Sequence, residues 1–273
     1  MKVLVACEYS GRVREAFRKQ GHDAWSCDIL DCEDGSEYHI KGDVVPLLED
    51  GWDLMIAHPP CTYLSVSGMH WTTRGIRNPQ LTEDALAFVK TLLSAPIDKI
   101  CLENPVSIIS SRIRKPDCII QPWMFGEDAS KKTCLWLKGL TPLVPTNIIP
   151  PKGWAVLRCA SDMIECEMCG EPYCPDCEEH YADCNCIGPT EDGVTYKKMD
   201  GVMFGTREDM KKCTWGNQTP TGQNKLGPSE HRWKERSRTY QGVATAMAEQ
   251  WGVEGWIGRG IDEYIEYVAD NNV

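Results

Sequence analysis

Apolar and polar positions alternate along the chain between strand-like and helix-like periods. Lys2 to Cys7 is an apolar run of buried-strand length, Glu8-Tyr9-Ser10-Gly11 reads as a turn, and Arg12 to Gln20 as a helix. Val13, Ala16 and Phe17 lie on one face of that helix, and Gly21 is placed to end it. A second strand, Asp23 to Cys27, closes on Asp28. Gly42-Asp43-Val44 puts another acid at a strand end, and Val45 to Leu48 begins a short helix. Asp53 to Ala57 is a third apolar strand. It halts at Pro59-Pro60, which allows neither helix nor ladder to continue.

Beyond this corner, Val66 to Asn78 is expected to be a glycine-hinged loop able to close over a substrate. Thr82 is expected to cap a helix with Ala85, Phe88, Val89 and Leu92 along one side. Lys99 to Glu103 reads as a strand running into Glu103-Asn104-Pro105, and Thr133 to Leu137 as another. Prolines 142, 145, 150 and 151 mark a linker. Ser237 to Trp251 is an amphipathic helix with Val243, Met247 and Trp251 on one stripe, preceded or capped by Ser237 or Thr239. Strands alternating with helices predict an α/β fold around a parallel sheet.

The diproline corner delivers Cys61. A thiol at the carboxyl end of a parallel strand, on a stiff turn, stands at the crevice where open α/β sheets bind ligands. The competing reading is a small buried hydrophobe after a proline turn. Glu103, closing a neighbouring strand, would share that crevice. Asp28 closes the second strand, where a carboxylate can take ribose hydroxyls. One glycine in the first loop makes that nucleotide signal weak alone.

Charge changes the picture once it is located. The net charge is −11, but residues 159 to 192 carry ten acids and no Lys or Arg, leaving the remainder near −1. Residues 205 to 240 hold eight basic side chains against four acids, with Trp215, Trp233 and Tyr240 interleaved. Such a stretch can track phosphates and stack bases, or be a solvated face. No apolar run reaches membrane-span length, and Met1 enters a strand without the features of a signal peptide. A cytoplasmic monomer with no membrane partner is expected.

Seven of the fifteen cysteines, Cys159, Cys166, Cys169, Cys174, Cys177, Cys184 and Cys186, fall within 28 residues. Two CxxC knuckles, with His180 between the second of them and Cys184-x-Cys186, present thiolate pairs that suit tetrahedral zinc. The eight candidate ligands suffice for two ions, and a structural role is expected. Their pairing is left open.

The ordered pieces resemble the DNA cytosine 5-methyltransferases. Tyr9-Ser10-Gly11 is similar to the family's first-strand loop, Asp28 to its acid after the second strand, and Gly42-Asp43-Val44 to its G-D-I segment. Pro59-Pro60-Cys61 matches its P-P-C turn and Glu103-Asn104-Pro105 is near its E-N-V turn. The resemblance runs over residues 3 to 140 and again over roughly 236 to 251. It departs in lacking the second glycine of the loop, in His58 where the family has a small residue, and in Thr62 where it has glutamine. Lys131 and Lys132 are the only candidates for the charges of its Q-x-R-x-R strand.

The resemblance implies a Rossmann-like S-adenosylmethionine-dependent methyltransferase sheet with a small Cys-rich zinc-binding insertion. It implies Cys61 adding to C6 of a flipped cytosine, Glu103 at N3, and Lys131 holding the base or its phosphate. S-adenosylmethionine is then expected near Ser10, Gly11 and Pro59, with Asp28 on the ribose, Asp43 on the adenine amine and Thr239 near the methionine end. The catalytic domain would span 1–150, completed by 236–257. The zinc module and basic segment would occupy 151–235, and a tail 258–273. DNA is the expected partner, with RNA as an alternative. An amino-group methyltransferase would want D/N-P-P-Y/F, which His58-Pro59-Pro60-Cys61 does not offer. A catalytically silent zinc-containing nucleic-acid adaptor is the alternative from another class.

Overall fold

The computed structural model describes residues 1–157, 164–165, 172–174, 179–180, 195–200, 202–206, 212–218, 234 and 237–253. Seven strands form the main sheet: β1 (Lys2–Ala6), β2 (Asp23–Asp28), β3 (His39–Lys41), β4 (Leu54–Ala57), β5 (Lys99–Pro105), β6 (Cys118–Ile120) and β7 (Thr133–Lys138). Their order is β3-β2-β1-β4-β5-β7-β6. All neighbours are parallel except β7, which is antiparallel to both β5 and β6. The order reverses about β1, so the crevice between the carboxyl ends of β1 and β4 is the switch point where such sheets take ligands.

Side chains of a strand alternate between the faces, and the core divides accordingly. Val3, Val5, Leu54 and Ile56 enter one apolar cluster, while Leu4, Ala6, Met55 and Ala57 enter the other. Helices α1 (Arg12–Lys19) and, late in the chain, α5 (Gln241–Trp251) cover the first face through Val13, Phe17, Val243, Met247 and Trp251. Helix α3 (Gln80–Leu93) covers the second through Leu86, Val89 and Leu92. The predicted faces of α1 and α5 are therefore the buried ones.

Two expectations are corrected. Residues 66–73 form helix α2 (Val66–Thr73) rather than a loop, because the Ser65 hydroxyl accepts the Gly68 amide at 3.2 Å and caps the first turn. Thr82 is no cap: α3 begins at Gln80, and the buried Thr82 hydroxyl donates to the Tyr63 carbonyl at 3.3 Å. Helix α4 (Ile109–Arg112) and strand β6 were not expected; both are too short to show a period.

The proline-rich stretch does not hang free. The Val144 amide donates to Gln250 Oε1 at 2.9 Å, Gln250 Nε2 donates to the Val144 carbonyl at 2.8 Å, and the Trp251 indole donates to the Thr141 carbonyl at 3.0 Å. Beyond it, β8 (Ala155–Leu157) pairs with β13 (Val202–Thr206), which pairs with β12 (Thr195–Met199). Phe204 of β13 and Trp215 pack on Trp123 inside the first cluster, so these parts of 151–235 share the main core. A separate small sheet joins β9 (Ile164–Glu165), β10 (Pro172–Cys174) and β11 (Glu179–His180). No helix among the described residues is long and apolar enough to cross a membrane.

Candidate active site

The site grows from the ends of β1, β4 and β5. The ladder pairs Ala57 of β4 with Leu102 of β5, so the next residue on each, His58 and Glu103, are neighbours across the strands. The His58 amide extends the ladder on the other side by donating to the Ala6 carbonyl at 2.9 Å. His58 Nδ1 lies 2.6 Å from Glu103 Oε2, and both side chains are 13% exposed. Burial pushes the imidazole down, but its hydrogen bond to Glu103 and the charges of Glu103 and Glu8 outweigh that and leave it raised. Burial pushes Glu103 up, yet the bond and charge of His58, with Lys131 adding, hold it below the usual carboxylate range. Both shifts favour the imidazolium–carboxylate form of the pair.

Pro59 is buried and its carbonyl accepts from Asn104 Nδ2 at 2.9 Å, which fastens the corner to β5. Pro60 is extended, and a 3₁₀ turn over Cys61–Tyr63 follows. Cys61 is exposed at the start of that turn. The turn is stitched to the loop after β5 by the Ile108 amide on the Leu64 carbonyl at 3.0 Å and by a Ser65–Ser107 bridge. Arg77 donates to the Thr62 carbonyl at 2.9 Å.

Glu103, Lys131 and Thr239 line one cleft, together with Ile120, Thr133 and Tyr240. Lys131, called for as a charge near the base, thus stands with Glu103, and Thr239 reaches the same cleft from the turn before α5. Cys61 does not line it; the thiol sits on the corner three residues beyond His58.

The remaining expected residues gather at the ends of β1, β2 and β3. Cys7 turns the chain at φ 59°, and burial, followed by Asp28, Cys27 and Asp43, pushes its thiol up to about 12. Asp28 and Asp43 therefore face this turn from the next two strand ends. Burial raises Asp28 despite the amide bond from Leu30 and the nearby His39 and His58, while Asp43 accepts the Val45 amide at 3.0 Å. Gly11 is left-handed at φ 72°, and a Cβ there would run into the Arg14 guanidinium and Asp34. Ser10 turns inward, its hydroxyl donating to Glu8 at 3.3 Å.

Glu8 and His58 are the participants that sequence reasoning missed. Buried Glu8 accepts the amides of Val13 at 2.8 Å and Arg14 at 3.2 Å, filling the N-terminus of α1 with a carboxylate. That position is where a dinucleotide would set its pyrophosphate. A phosphate-free nucleoside with hydroxyl and amine donors suits two strand-end carboxylates instead, and S-adenosylmethionine fits that donor set. An acid immediately before a helix was the available signal for Glu8; for His58 it was a polar residue ending an otherwise apolar strand.

Of the expected metal ligands, Cys174 ends β10 and His180 ends β11, on strands paired antiparallel. Cys159, Cys166, Cys169, Cys177, Cys184 and Cys186 lie outside the described residues. Among the described residues no group of three or more His, Cys, Asp or Glu side chains is placed to hold a metal.

Strand order, the single antiparallel strand and the carboxylate-lined switch point define a doubly wound, Rossmann-like α/β sheet. No family model matches the chain, and no curated protein does. Among solved structures it is similar to an E. coli protein described as a DNA modification methyltransferase encoded within a prophage, at 16% identity and a TM-score of 0.37. The match covers 55% of this chain and 52% of that one, so the chain matches about half of that protein's length. A likeness that distant fixes neither activity nor substrate.

Proposed function

We propose that the chain transfers a methyl group from S-adenosylmethionine to C5 of cytosine in DNA, with Cys61 as the nucleophile. The observation that carries this reading is the ladder neighbourhood of His58 and Glu103, which sets a buried, charged carboxylate one strand from an exposed thiol on a rigid corner. The thiolate of Cys61 adds to C6 of a base taken out of its stack. Glu103 stabilises charge arriving at N3, and Lys131 steadies the base or its phosphate. Asp28 and Asp43 hold the ribose and the adenine amine, while Ser10, Gly11, Pro59 and Thr239 complete the cofactor's surroundings. S-adenosylmethionine, when bound, supplies the electrophilic methyl that C5 accepts. A water molecule takes the C5 proton, the C–H electron pair becomes the C5–C6 double bond, and Cys61 departs with the C–S pair, restoring the ring.

The test is covalent trapping on 5-fluorocytosine oligonucleotides, DNA and RNA in parallel. A cofactor-dependent adduct with DNA, absent in Cys61→Ser, is expected. An adduct with RNA alone would reassign the polymer; no adduct and no cofactor binding would leave a nucleic-acid adaptor. The cysteine spacing of 159–186 further supports a structural zinc module, for which elemental analysis should find about one or two zinc ions per chain. A zinc-free preparation that is fully folded would count against it.

A further inference from the structure

We propose that His58 is the proton store of the site: its Nδ1 holds the proton that Glu103 passes to ring N3 when the thiolate adds, and recovers it when the thiolate leaves. The proposal rests on the cytosine reading above and assigns the source of a proton that reading requires.

Glu103 cannot be that source alone. Its Oε2 is taken up by His58 Nδ1 at 2.6 Å in a nearly closed setting, and an ionised carboxylate has no proton to give. His58 is well placed to supply one. The charged groups that act on it come from four places in the fold: Glu103 on β5, Glu8 after β1, Asp28 at the end of β2, and Lys131 ahead of β7. Three carboxylates against one ammonium favour an imidazolium despite its burial. The other ring nitrogen, Nε2, is buried and has no hydrogen-bond partner among the described residues. The ring's polar traffic therefore runs through Nδ1, and His58 acts through Glu103 as a positioning residue rather than on the base.

The step balances. The Nδ1–H bond breaks and an O–H bond forms on Glu103, leaving the imidazole neutral with its lone pair on Nδ1. That O–H then breaks as N3–H forms, neutralising the electron pair that the sulfur brought into the ring. When the C6–S bond breaks, sulfur departs with its pair and the N3 proton returns by the same two transfers.

The experiment is a ¹⁵N-histidine NMR titration of the full chain, without cofactor or substrate, in the wild type and in Glu103→Gln. In the wild type the His58 ring should titrate above the ordinary histidine value of 6.5. In Glu103→Gln it should fall by about one pH unit or more, since a close opposite charge accounts for shifts of that size. Adduct formation on 5-fluorocytosine DNA is then measured against pH in His58→Gln, which can hydrogen-bond but cannot store a proton. Its maximal trapping rate should drop by about 10²-fold near pH 7 with the half-saturating DNA concentration unchanged, the lower end of general-acid contributions. A His58 ring that is neutral below pH 6.5 in the wild type, or unmoved by Glu103→Gln, overturns the proposal even if the enzyme is active. So does an unchanged maximal trapping rate in His58→Gln. A wild type that titrates as expected yet forms no adduct overturns both the relay and the cytosine reading, while leaving the ion pair intact.

Discussion

Asn104→Ala tests how the nucleophile is held. The Asn104 side chain is almost wholly buried and its Nδ2 is the side-chain donor to the Pro59 carbonyl, at 2.9 Å. Leaving that buried carbonyl unpaired costs about 1–3 kcal/mol. Asn104 Oδ1 is itself buried without a partner among the described residues, so removing it returns part of the loss. The net effect should be about 1–2 kcal/mol, since an orphaned acceptor carries a penalty of its own. For a chain of this size that lowers Tm by roughly 3–6 °C. The functional effect should be larger than the global one, because a shift of about 1 Å in a reacting group can cost 10²-fold in rate. Thermal melts give the first quantity. The rate of adduct formation by Cys61, followed by peptide mass mapping, gives the second. Asn104→Asp keeps the shape but turns an acceptor toward the carbonyl, and should be the worse variant on both. If Asn104→Ala melts like the wild type and Cys61 reacts at an unchanged rate, the corner is not held by this bond.

Stability should peak in a window set by the His58–Glu103 pair. The imidazole's folded value is raised, so its contribution is full below 6.5 and fades as pH climbs through that higher value; the carboxylate's is lowered, so its contribution is full above 4.5 and fades in acid. Urea melts should show a maximum between those limits that His58→Gln lacks, and superimposable profiles would refute the pairing. Trp123→Ala removes a fully buried ring stacked on Trp215 at 5.7 Å and edge-on to Phe204 at 5.3 Å, and should cost about 3–5 kcal/mol. Strong non-additivity with Trp215→Ala in a double-mutant cycle is expected, and simple additivity would argue that residues 212–218 do not share this core. Gly242→Ala, which in an exposed helix would stabilise, should destabilise because its Cβ would meet the Phe125 carbonyl. A raised Tm would contradict that contact.

The order of strands and helices was legible because each long element carries its own period: Val13, Ala16 and Phe17 on α1, or the unbroken apolar run of β4. The exposed corner that carries Cys61 was legible for the same reason, since a strand that stops at a diproline announces its own end, whereas β5 runs two residues past Glu103 to Pro105. Helix α2 escaped because its apolar positions form no stripe and its cap is a single serine. Short β6 carries too few residues for any period, and the antiparallel sense of β7 is a property of its partners rather than of its residues. Nor could periodicity show that Phe204 and Trp215 fold back on Trp123, a contact spanning some eighty or ninety positions.

The ionisation of the site belongs to the tertiary level entirely. By itself the sequence determined where the long strands fall, because hydrophobic runs and prolines act locally. Only the register of β4 against β5 decided that His58 meets Glu103, and only the packing of four elements decided which charges surround them. Electrostatic energy depends on distance through a low-dielectric interior, and separations of 45 residues along the chain say nothing about that distance until the sheet has formed.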